Sequence, residues 1–457
     1  MASMEKNLTK GGVFRTLLGF SLPFLLSYFL QTLYGMADLY IIGQFCGVES
    51  TTAVSIGSQV MHMLTVMIVG LAMGSTVRIG QAVGGGKLPE ASRAVGNTIT
   101  LFLGVSAAAT VLLLALVKPI ISVMSTPEEA MDGLAMYLRI CFLGIPFITA
   151  YNIISSVFRG MGDSKSPMYF VAVACAANIA LDYLFIGGLG MGPAGAALGT
   201  TLAQTVSVVT ALVVIRRKQT GITLDKADFR PEKGMMGSIL RVGIPVALQD
   251  GFIQIAFLVI TVIANLRGLN DAAAVGIVEK IIGFLFLVPS SMLSSVSALC
   301  AQNIGAGFHD RAKKTLGYGI ALCVGFGLAW AVVMLLAAEP FVGLFAQDAE
   351  VIRLGGEYMR GYVWDCVLAG IHFCFSGYFC AYGLSGFSFL HNSVSIVCAR
   401  IPLAYLASKA FPDTLLPMGL ATATGSAVSV VICLAVFAWM QRKKNTYMGL
   451  QTDQADR

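Results

Sequence analysis

Asn178 and Asp182 are residues whose type and spacing suggest chemistry, since both interrupt the apolar stretch 168–186. They stand four positions apart, so on a helix their side chains share one face. An ionised carboxylate inside hydrocarbon is costly, and it therefore normally faces a cavity, a partner or an ion. The pair is a candidate ion or ligand site. The alternative is that both side chains only join neighbouring helices through hydrogen bonds.

The composition places this pair in a membrane protein. Hydrophobic residues make up 56% of the 457 residues, charged residues make up 12%, and the mean hydropathy is +0.79. A soluble domain typically has about 25% charged residues.

No small-residue cleavage site follows the first apolar stretch, so we expect the first helix to be retained. Apolar segments of about 20 residues predict twelve transmembrane helices, near 14–42, 52–77, 95–117, 134–158, 167–187, 194–216, 237–265, 273–300, 316–338, 357–381, 387–407 and 415–440.

The basic residues predict the orientation of these helices. Most of the 30 Lys and Arg residues fall on one side of the membrane if that side holds the N-terminus, the loops after even-numbered helices and the C-terminal tail. By the positive-inside rule, that side is cytoplasmic. We therefore expect a multi-pass protein of the cell (plasma or inner) membrane with both termini in the cytoplasm. The net charge of +6 then reflects topology, so no nucleic-acid partner is expected.

An internal repeat predicts the architecture. Residues 81–96 align with residues 302–317, and the same spacing pairs Tyr137 with Tyr358. Each half then contains six helices, which gives a parallel repeat with a central cavity between the halves. The fold class is an all-α membrane protein with twelve transmembrane helices in two six-helix pseudo-symmetric halves. The predicted divisions are an N-terminal half 1–218, a cytoplasmic linker 219–235, a C-terminal half 236–440 and a cytoplasmic tail 441–457.

Four motifs together resemble a known family. They are the Asp38-bearing first helix, the Gln-x-x-Gly-x-Gly loops after helices two and eight, the sequence Phe-Arg-Gly-Met-Gly-Asp at 158–163, and the Asn178-x-x-x-Asp182 helix. The chain resembles multidrug and toxic compound extrusion (MATE) transporters over essentially its whole length. The resemblance implies an antiporter, not an enzyme, that expels small-molecule drugs or toxic organic cations with a Na⁺ or H⁺ gradient. It implies no cofactor, and we expect a monomer.

The resemblance also implies an ion-coupling site at Asp38, Asn152, Asn178, Asp182 and Thr200. The alternation of helix directions independently puts Asp38, Asp182 and Thr200 in the outer half of the membrane, with Asn152 deeper. Carboxylate, amide and hydroxyl oxygens suit Na⁺, for which Asp38, Asn178 and Asp182 would be the metal ligands. Two neighbouring carboxylates could equally share one proton, because their negative charges repel. Both couplings stay open.

The second half departs from this pattern. In the repeat, Asn178 aligns with Ala399 and Asp182 with Leu403, so the ion site is not duplicated. The acids predicted to lie within the C-terminal helices are Asp250, Glu279 and Asp365, and Glu279 is followed by Lys280, which could neutralise it.

The substrate is expected between the halves. The residues predicted to line its cavity are Gln31, Tyr34, Ser55, Gln59, His62, Gln254 and Asp365.

A proline within the first helix suggests how ion and drug are coupled. Pro23 removes one backbone hydrogen bond, which leaves a weak point where a membrane helix can bend. We hypothesise that neutralising Asp38 changes this bend and closes the N-terminal side of the cavity on the substrate.

Three other functions fit the sequence less well. A lipid-linked precursor flippase of similar architecture is the first alternative, but it should have a cationic cavity, whereas the charges within the predicted helices are mainly acidic. A membrane-embedded prenyltransferase is remote, because further aspartates should follow Asp182, and Ile186 stands one turn on. The sequence has no repeated filter typical of a channel. It also has no Walker loop for ATP-driven transport.

Overall fold

The structure is a computed structural model that describes residues 7–217 and 223–442. Across those two ranges the chain is helical and contains no β-strand. This agrees with the predicted all-α fold class.

The helices of the first part of the chain run as far as Arg217. They are α1 (Val13–Phe45), α2 (Val48–Gly84), α3 (Leu88–Ala115), α4 (Val117–Val123), α5 (Glu128–Leu143), α6 (Ile145–Gly160), α7 (Lys165–Asp182), a π-helical segment (Tyr183–Gly188) and α8 (Gly192–Arg217).

The helices of the second part begin at Lys233. They are α9 (Lys233–Asn265), α10 (Leu269–Leu285), α11 (Leu287–Gly305), α12 (His309–Gly343), α13 (Ala349–Ala381), α14 (Ser385–Ser395), a second π-helical segment (Ile396–Arg400), α15 (Ile401–Ala410) and α16 (Leu416–Arg442).

The number of membrane spans agrees with the prediction. In the described ranges, 11 helices are long and apolar enough to cross a membrane, and the pair α5 and α6 forms the twelfth span. These two helices meet at an angle of 47°. Gly144 separates them and Pro146 follows in the first turn of α6, where a proline cannot continue the hydrogen-bond ladder of the preceding helix.

Several helices extend beyond the predicted apolar windows. Helix α2 covers Val48–Gly84 against a predicted 52–77, and α12 covers His309–Gly343 against 316–338. Hydropathy identifies only the part of a helix that lies in the hydrocarbon layer of the membrane. The backbone hydrogen bonds of the helix continue into its polar ends, so the helix is longer than its apolar segment.

The first of two compact units comprises the described residues of Met1–Gly251, Ser294–Tyr318 and Cys380–Gly383. It has two apolar cores. One surrounds Tyr137 and Phe142, and the other surrounds Phe158 and Phe170.

The second compact unit comprises the described residues of Phe252–Leu293, Gly319–Phe379 and Leu384–Arg457. Its core surrounds Tyr358 and Tyr362 on α13. In the apolar stretch of α13, 78% is buried within the protein, so α13 is the central helix of the unit.

The predicted divisions of the chain remain predictions, because compact packing and sequence repeat are different properties. The described part of the linker packs on α3, where Asn97 accepts a hydrogen bond from the backbone N–H of Glu232 at 2.8 Å and donates to the carbonyl of Asp228 at 3.2 Å. Residue 218 of the predicted N-terminal half, residues 219–222 of the predicted linker and residues 443–457 of the predicted tail lie outside the described residues.

Candidate functional site

Helix α8 presents a face of small residues. Gly195, Ala196, Gly199 and Ala203 are all buried. Small side chains let two membrane helices approach closely. A Cβ atom at Gly199 would lie 2.1 Å from Oδ1 of Asp182, so only glycine leaves room for this carboxylate.

Three helices bring four of the predicted ion-site residues together. Asp38 comes from α1, Asn178 and Asp182 come from α7, and Thr200 comes from α8. Helix α7 ends at Asp182, where the π-helical segment begins, and π turns recur at functional sites in membrane and soluble proteins alike. Asp38, Asn178 and Asp182 are all buried, with at most 3% of their surface exposed.

The side chains of these residues contact one another. The hydroxyl of Thr200 donates to Oδ2 of Asp38 at 3.2 Å, and the amide of Asn178 donates to Oδ2 of Asp182 at 3.4 Å. Asp38 also interacts directly with the side chains of Asn178 and Asp182. The two carboxyl groups are therefore neighbours in one buried cluster.

One oxygen of each of three side chains in this site has no hydrogen-bond partner in the structure. These atoms are Oδ1 of Asp38, Oδ1 of Asn178 and Oδ1 of Asp182. Buried polar atoms are normally hydrogen-bonded, and an unpaired one costs about 1–3 kcal/mol. The arrangement can hold a hard cation through oxygen atoms, or a proton shared between the two carboxyl groups.

Comparison with known proteins assigns the family. The MatE family model matches residues 23–184 and again residues 245–406, which together form well over half of the chain. The chain belongs to the MATE family. It is therefore a multi-pass membrane transporter and not an enzyme. The two matches begin at Pro23 and Pro245, at equivalent places in the two predicted halves.

Relatives of this MATE transporter match it over most of their length. The probable multidrug resistance protein YoeA of Bacillus subtilis is 26% identical over 95% of this chain and 96% of its own. The multidrug export protein MepA of Staphylococcus haemolyticus is 25% identical over 80% of this chain and 81% of its own.

A solved structure shares the fold of the transporter. It is described as the outward-facing conformation of a multidrug resistance MATE family transporter of the MOP superfamily, and it aligns with a TM-score of 0.90 over 98% of this chain and 99% of its own. At 22% identity this likeness shows the fold alone. The predicted fold of twelve helices in two halves is confirmed.

Asn152, the fifth predicted ion-site residue, makes a local contact. It lies on α6 and is buried, and its amide donates to the carbonyl of Ile148 at 2.8 Å, within the same helix. Its role in ion coupling stays a prediction.

A residue that sequence analysis missed lies beside a predicted one. The amide of Gln204 on α8 donates to the hydroxyl of Tyr34 on α1 at 3.4 Å, and its own Oε1 atom is buried without a partner. Gln204 stands one helical turn after Thr200, and this spacing was the signal that could have identified it.

The other predicted substrate residues differ in exposure. On α2, Ser55 is half-buried, whereas Gln59 and His62 are exposed. Gln31 on α1 and Gln254 on α9 are half-buried. Their assignment to a substrate cavity stays a prediction.

Asp365 is fully buried in an ion pair. Nη2 of Arg400 lies 3.1 Å from Oδ2 of Asp365 and donates to the hydroxyl of Tyr362 at 2.7 Å. Arg400 was not among the predicted site residues, and the charges within the helices were predicted to be mainly acidic. In the structure this cation neutralises the acid.

The remaining C-terminal acids have neighbours that the sequence did not indicate. Glu279 accepts a hydrogen bond from the hydroxyl of Thr261 at 3.1 Å, while Lys280 is exposed. Asp250 lies beside α2, since a Cβ atom at Gly70 would be 2.9 Å from its Oδ2 atom.

Proposed function

We propose that this MATE transporter is a secondary active antiporter that expels organic, often cationic, compounds in exchange for Na⁺ or H⁺. Asp38, Asn178, Asp182 and Thr200 hold the coupling ion, and Asn152 contributes from a deeper position. The observation that carries the proposal is the set of buried oxygen atoms on Asp38, Asn178 and Asp182 that have no hydrogen-bond partner.

A Na⁺ ion would satisfy all three atoms, and a proton would satisfy the two carboxyl oxygens. A Na⁺ ion would take Oδ1 of Asp38, Oδ1 of Asp182 and the amide oxygen of Asn178 as ligands, because hard cations prefer oxygen. A proton would instead convert one carboxyl group into a donor to the other. In both cases binding removes the repulsion between two buried negative charges.

The proposed cargo follows from the relatives, which are named as multidrug resistance and multidrug export proteins. Small organic molecules are the class of substrate. We propose that the transporter is a monomer in the plasma membrane with both termini in the cytoplasm. The residues that we propose to contact the substrate are Gln31, Tyr34, Ser55, Gln59, His62, Gln254 and Asp365.

Uptake of a fluorescent organic cation into everted membrane vesicles tests this function. The Na⁺ gradient and the pH gradient are collapsed separately, and accumulation of the dye is measured after each treatment. We expect loss of accumulation when one specific gradient is removed. Vesicles that contain the variant with both Asp38→Asn and Asp182→Asn provide the background.

Accumulation that survives the loss of both gradients, at the level of the untreated vesicles, would contradict secondary antiport. Gradient-driven accumulation that is equal in the doubly substituted variant would contradict the assignment of the site alone.

A further inference from the structure

Arg159, near the end of α6, is a buried cation outside the Asp38 site. Only 7% of its surface is exposed, and its guanidinium carbon lies 4.2 Å from the centre of the Phe24 ring on α1. Its Nε atom is buried without a partner. Within residues 7–217 and 223–442, no carboxylate forms an ion pair with it and no group accepts a hydrogen bond from it.

The other buried arginine of the described chain has a carboxylate partner, since Arg400 pairs with Asp365 at 3.1 Å. The half-buried Arg267 likewise pairs with Asp271 at 2.8 Å. The contact of Arg159 with an aromatic ring is weaker than such an ion pair, and the buried Nε atom has no acceptor. Among the described residues, Arg159 therefore lacks a counter-charge.

A small cavity adjoins this guanidinium. Arg159, Phe24, Thr76, Ser156 and Ser294 contribute to its lining, and it has room for about one water molecule. All of these residues belong to the first compact unit. The space therefore suits a monatomic anion better than sulfate, phosphate or gluconate.

Some hydroxyl groups of the cavity already donate hydrogen bonds within the protein. Thr76 donates to the carbonyl of Ser156 at 3.1 Å, and Ser156 donates to the carbonyl of Ile153 at 2.8 Å. Ser294 and Tyr28 share one hydrogen bond at 3.3 Å, in which either hydroxyl can be the donor, so one hydroxyl proton of this pair is spare. The donors available to a ligand are this proton and the N–H groups of Arg159.

We propose that Arg159 anchors a binding site for one small inorganic anion of chloride size, lined by residues of α1, α2, α6 and α11. The anion supplies the counter-charge that the described residues lack. The site is separate from the ion-coupling site, because Phe24 and Asp38 are about 20 Å apart along α1 at 1.5 Å per residue. It does not depend on the proposed antiport function.

The test uses the purified full-length protein in an uncharged detergent. The starting solution contains sodium gluconate, which is replaced by chloride or bromide at constant ionic strength and constant Na⁺, or by sulfate at constant Na⁺. The thermal unfolding midpoint and the heat of anion binding by titration calorimetry are measured. We expect a saturable rise of the midpoint with chloride and bromide but not with sulfate, because a ligand that binds only the folded state stabilises it.

Substitutions locate the site. Arg159→Gln should weaken chloride binding at least tenfold, whereas Arg93→Gln, which changes an exposed arginine on α3, should leave it unchanged. Phe24→Leu removes the aromatic ring that contacts the Arg159 guanidinium and keeps an apolar side chain. Because the anion then no longer shares the guanidinium with the ring, chloride binding should become severalfold tighter. This variant keeps the test decisive if Arg159→Gln does not fold.

Several results would overturn the proposal. They are the absence of a saturable chloride effect in the unaltered protein, an equal effect of sulfate, and an undiminished effect in folded Arg159→Gln. A fourth result concerns the acidic side chains outside the described residues, which are Glu5, Asp453 and Asp456. If chloride binds only after these residues are changed to amides, one of them is the partner of Arg159.

Discussion

Gln81 and Gln302 occupy equivalent positions in the sequence repeat, and each caps a helix that belongs to the other repeat. The amide of Gln81 donates to the carbonyl of Ala381 at 2.9 Å, and the amide of Gln302 donates to the carbonyl of Gly160 at 2.9 Å. Both bonds lie within the first compact unit. The glutamines satisfy carbonyl groups at helix ends, which have no partner within their own helix.

The glycine of the Gln-x-x-Gly motif has a matching role. A Cβ atom at Gly84 would lie 2.0 Å from the carbonyl oxygen of Gln302, and a Cβ atom at Gly305 would lie 2.0 Å from that of Gln81. The two backbones therefore meet at a distance that only glycine permits.

The first prediction concerns Gln302. Its side chain also accepts a hydrogen bond from the N–H of Leu8 at 3.1 Å, so Gln302→Ala leaves two buried backbone groups unpaired. We expect the free energy of unfolding to fall by about 1–3 kcal/mol. Gln81→Ala should have a smaller effect, because Gln81 is half-buried. Denaturation of the purified variants measures both, and equal losses would show that the second bond of Gln302 is unimportant.

The second prediction concerns Gly199. The methyl group of Gly199→Ala would overlap Oδ1 of Asp182 and displace the carboxylate from Asp38. We expect the apparent affinity for the coupling ion to fall by about tenfold, which corresponds to about 1.4 kcal/mol. The matched control is Gly104→Ala on α3, where a Cβ atom meets nothing within 4 Å. Ion-dependent efflux is measured for both variants, and unchanged affinity in Gly199→Ala would mean that Asp182 does not bind the ion.

The third prediction separates the two carboxylates from other acids. Asp38→Asn and Asp182→Asn should each abolish gradient-driven efflux and leave folded protein in the membrane, because an amide cannot carry the compensating negative charge. Asp132→Asn, an exposed change at the start of α5, should keep normal efflux. Drug resistance of cells that express each variant is the measurement. Full resistance from both buried-site variants would show that these acids are structural.

The fourth prediction tests bending of α1. This helix continues through Pro23, although the proline cannot donate to the carbonyl of Gly19. We expect Pro23→Ala to retain drug binding and to lose most of the coupling between drug and ion, which is typically about 1–3 kcal/mol. Drug affinity in detergent is measured with and without Na⁺, at acidic and at neutral pH. If the coupling persists in Pro23→Ala, helix bending is not its origin.

The fifth prediction concerns topology. The distribution of basic residues places the C-terminus in the cytoplasm. A fluorescent reporter fused after Arg457 should therefore mature, and an enzyme reporter that is active only after export should stay inactive there. The same exported reporter inserted after Ser125, in the loop before α5, should be active. An active exported reporter at the C-terminus would contradict the predicted orientation.

The sequence by itself determined the membrane class and the twelve spans, and it paired Asn178 with Asp182. Hydropathy is a local property, because a span needs about 20 apolar residues whatever surrounds it. Asn178 and Asp182 could be paired because the helical period puts positions four apart on one face. Asp38 and Thr200 were added by resemblance, and their contact at 3.2 Å is a property of the fold.

Only the tertiary structure decided which charges are paired. Arg400 and Arg159 both lie in or beside apolar helices, yet one pairs with Asp365, whereas the other lies over the ring of Phe24 and pairs with no carboxylate of residues 7–217 and 223–442. The sequence could not distinguish them, because a partner is set by helices that are distant along the chain. The same holds for the unpaired oxygens of the ion site, since whether a buried atom has a partner depends on every side chain that packs around it.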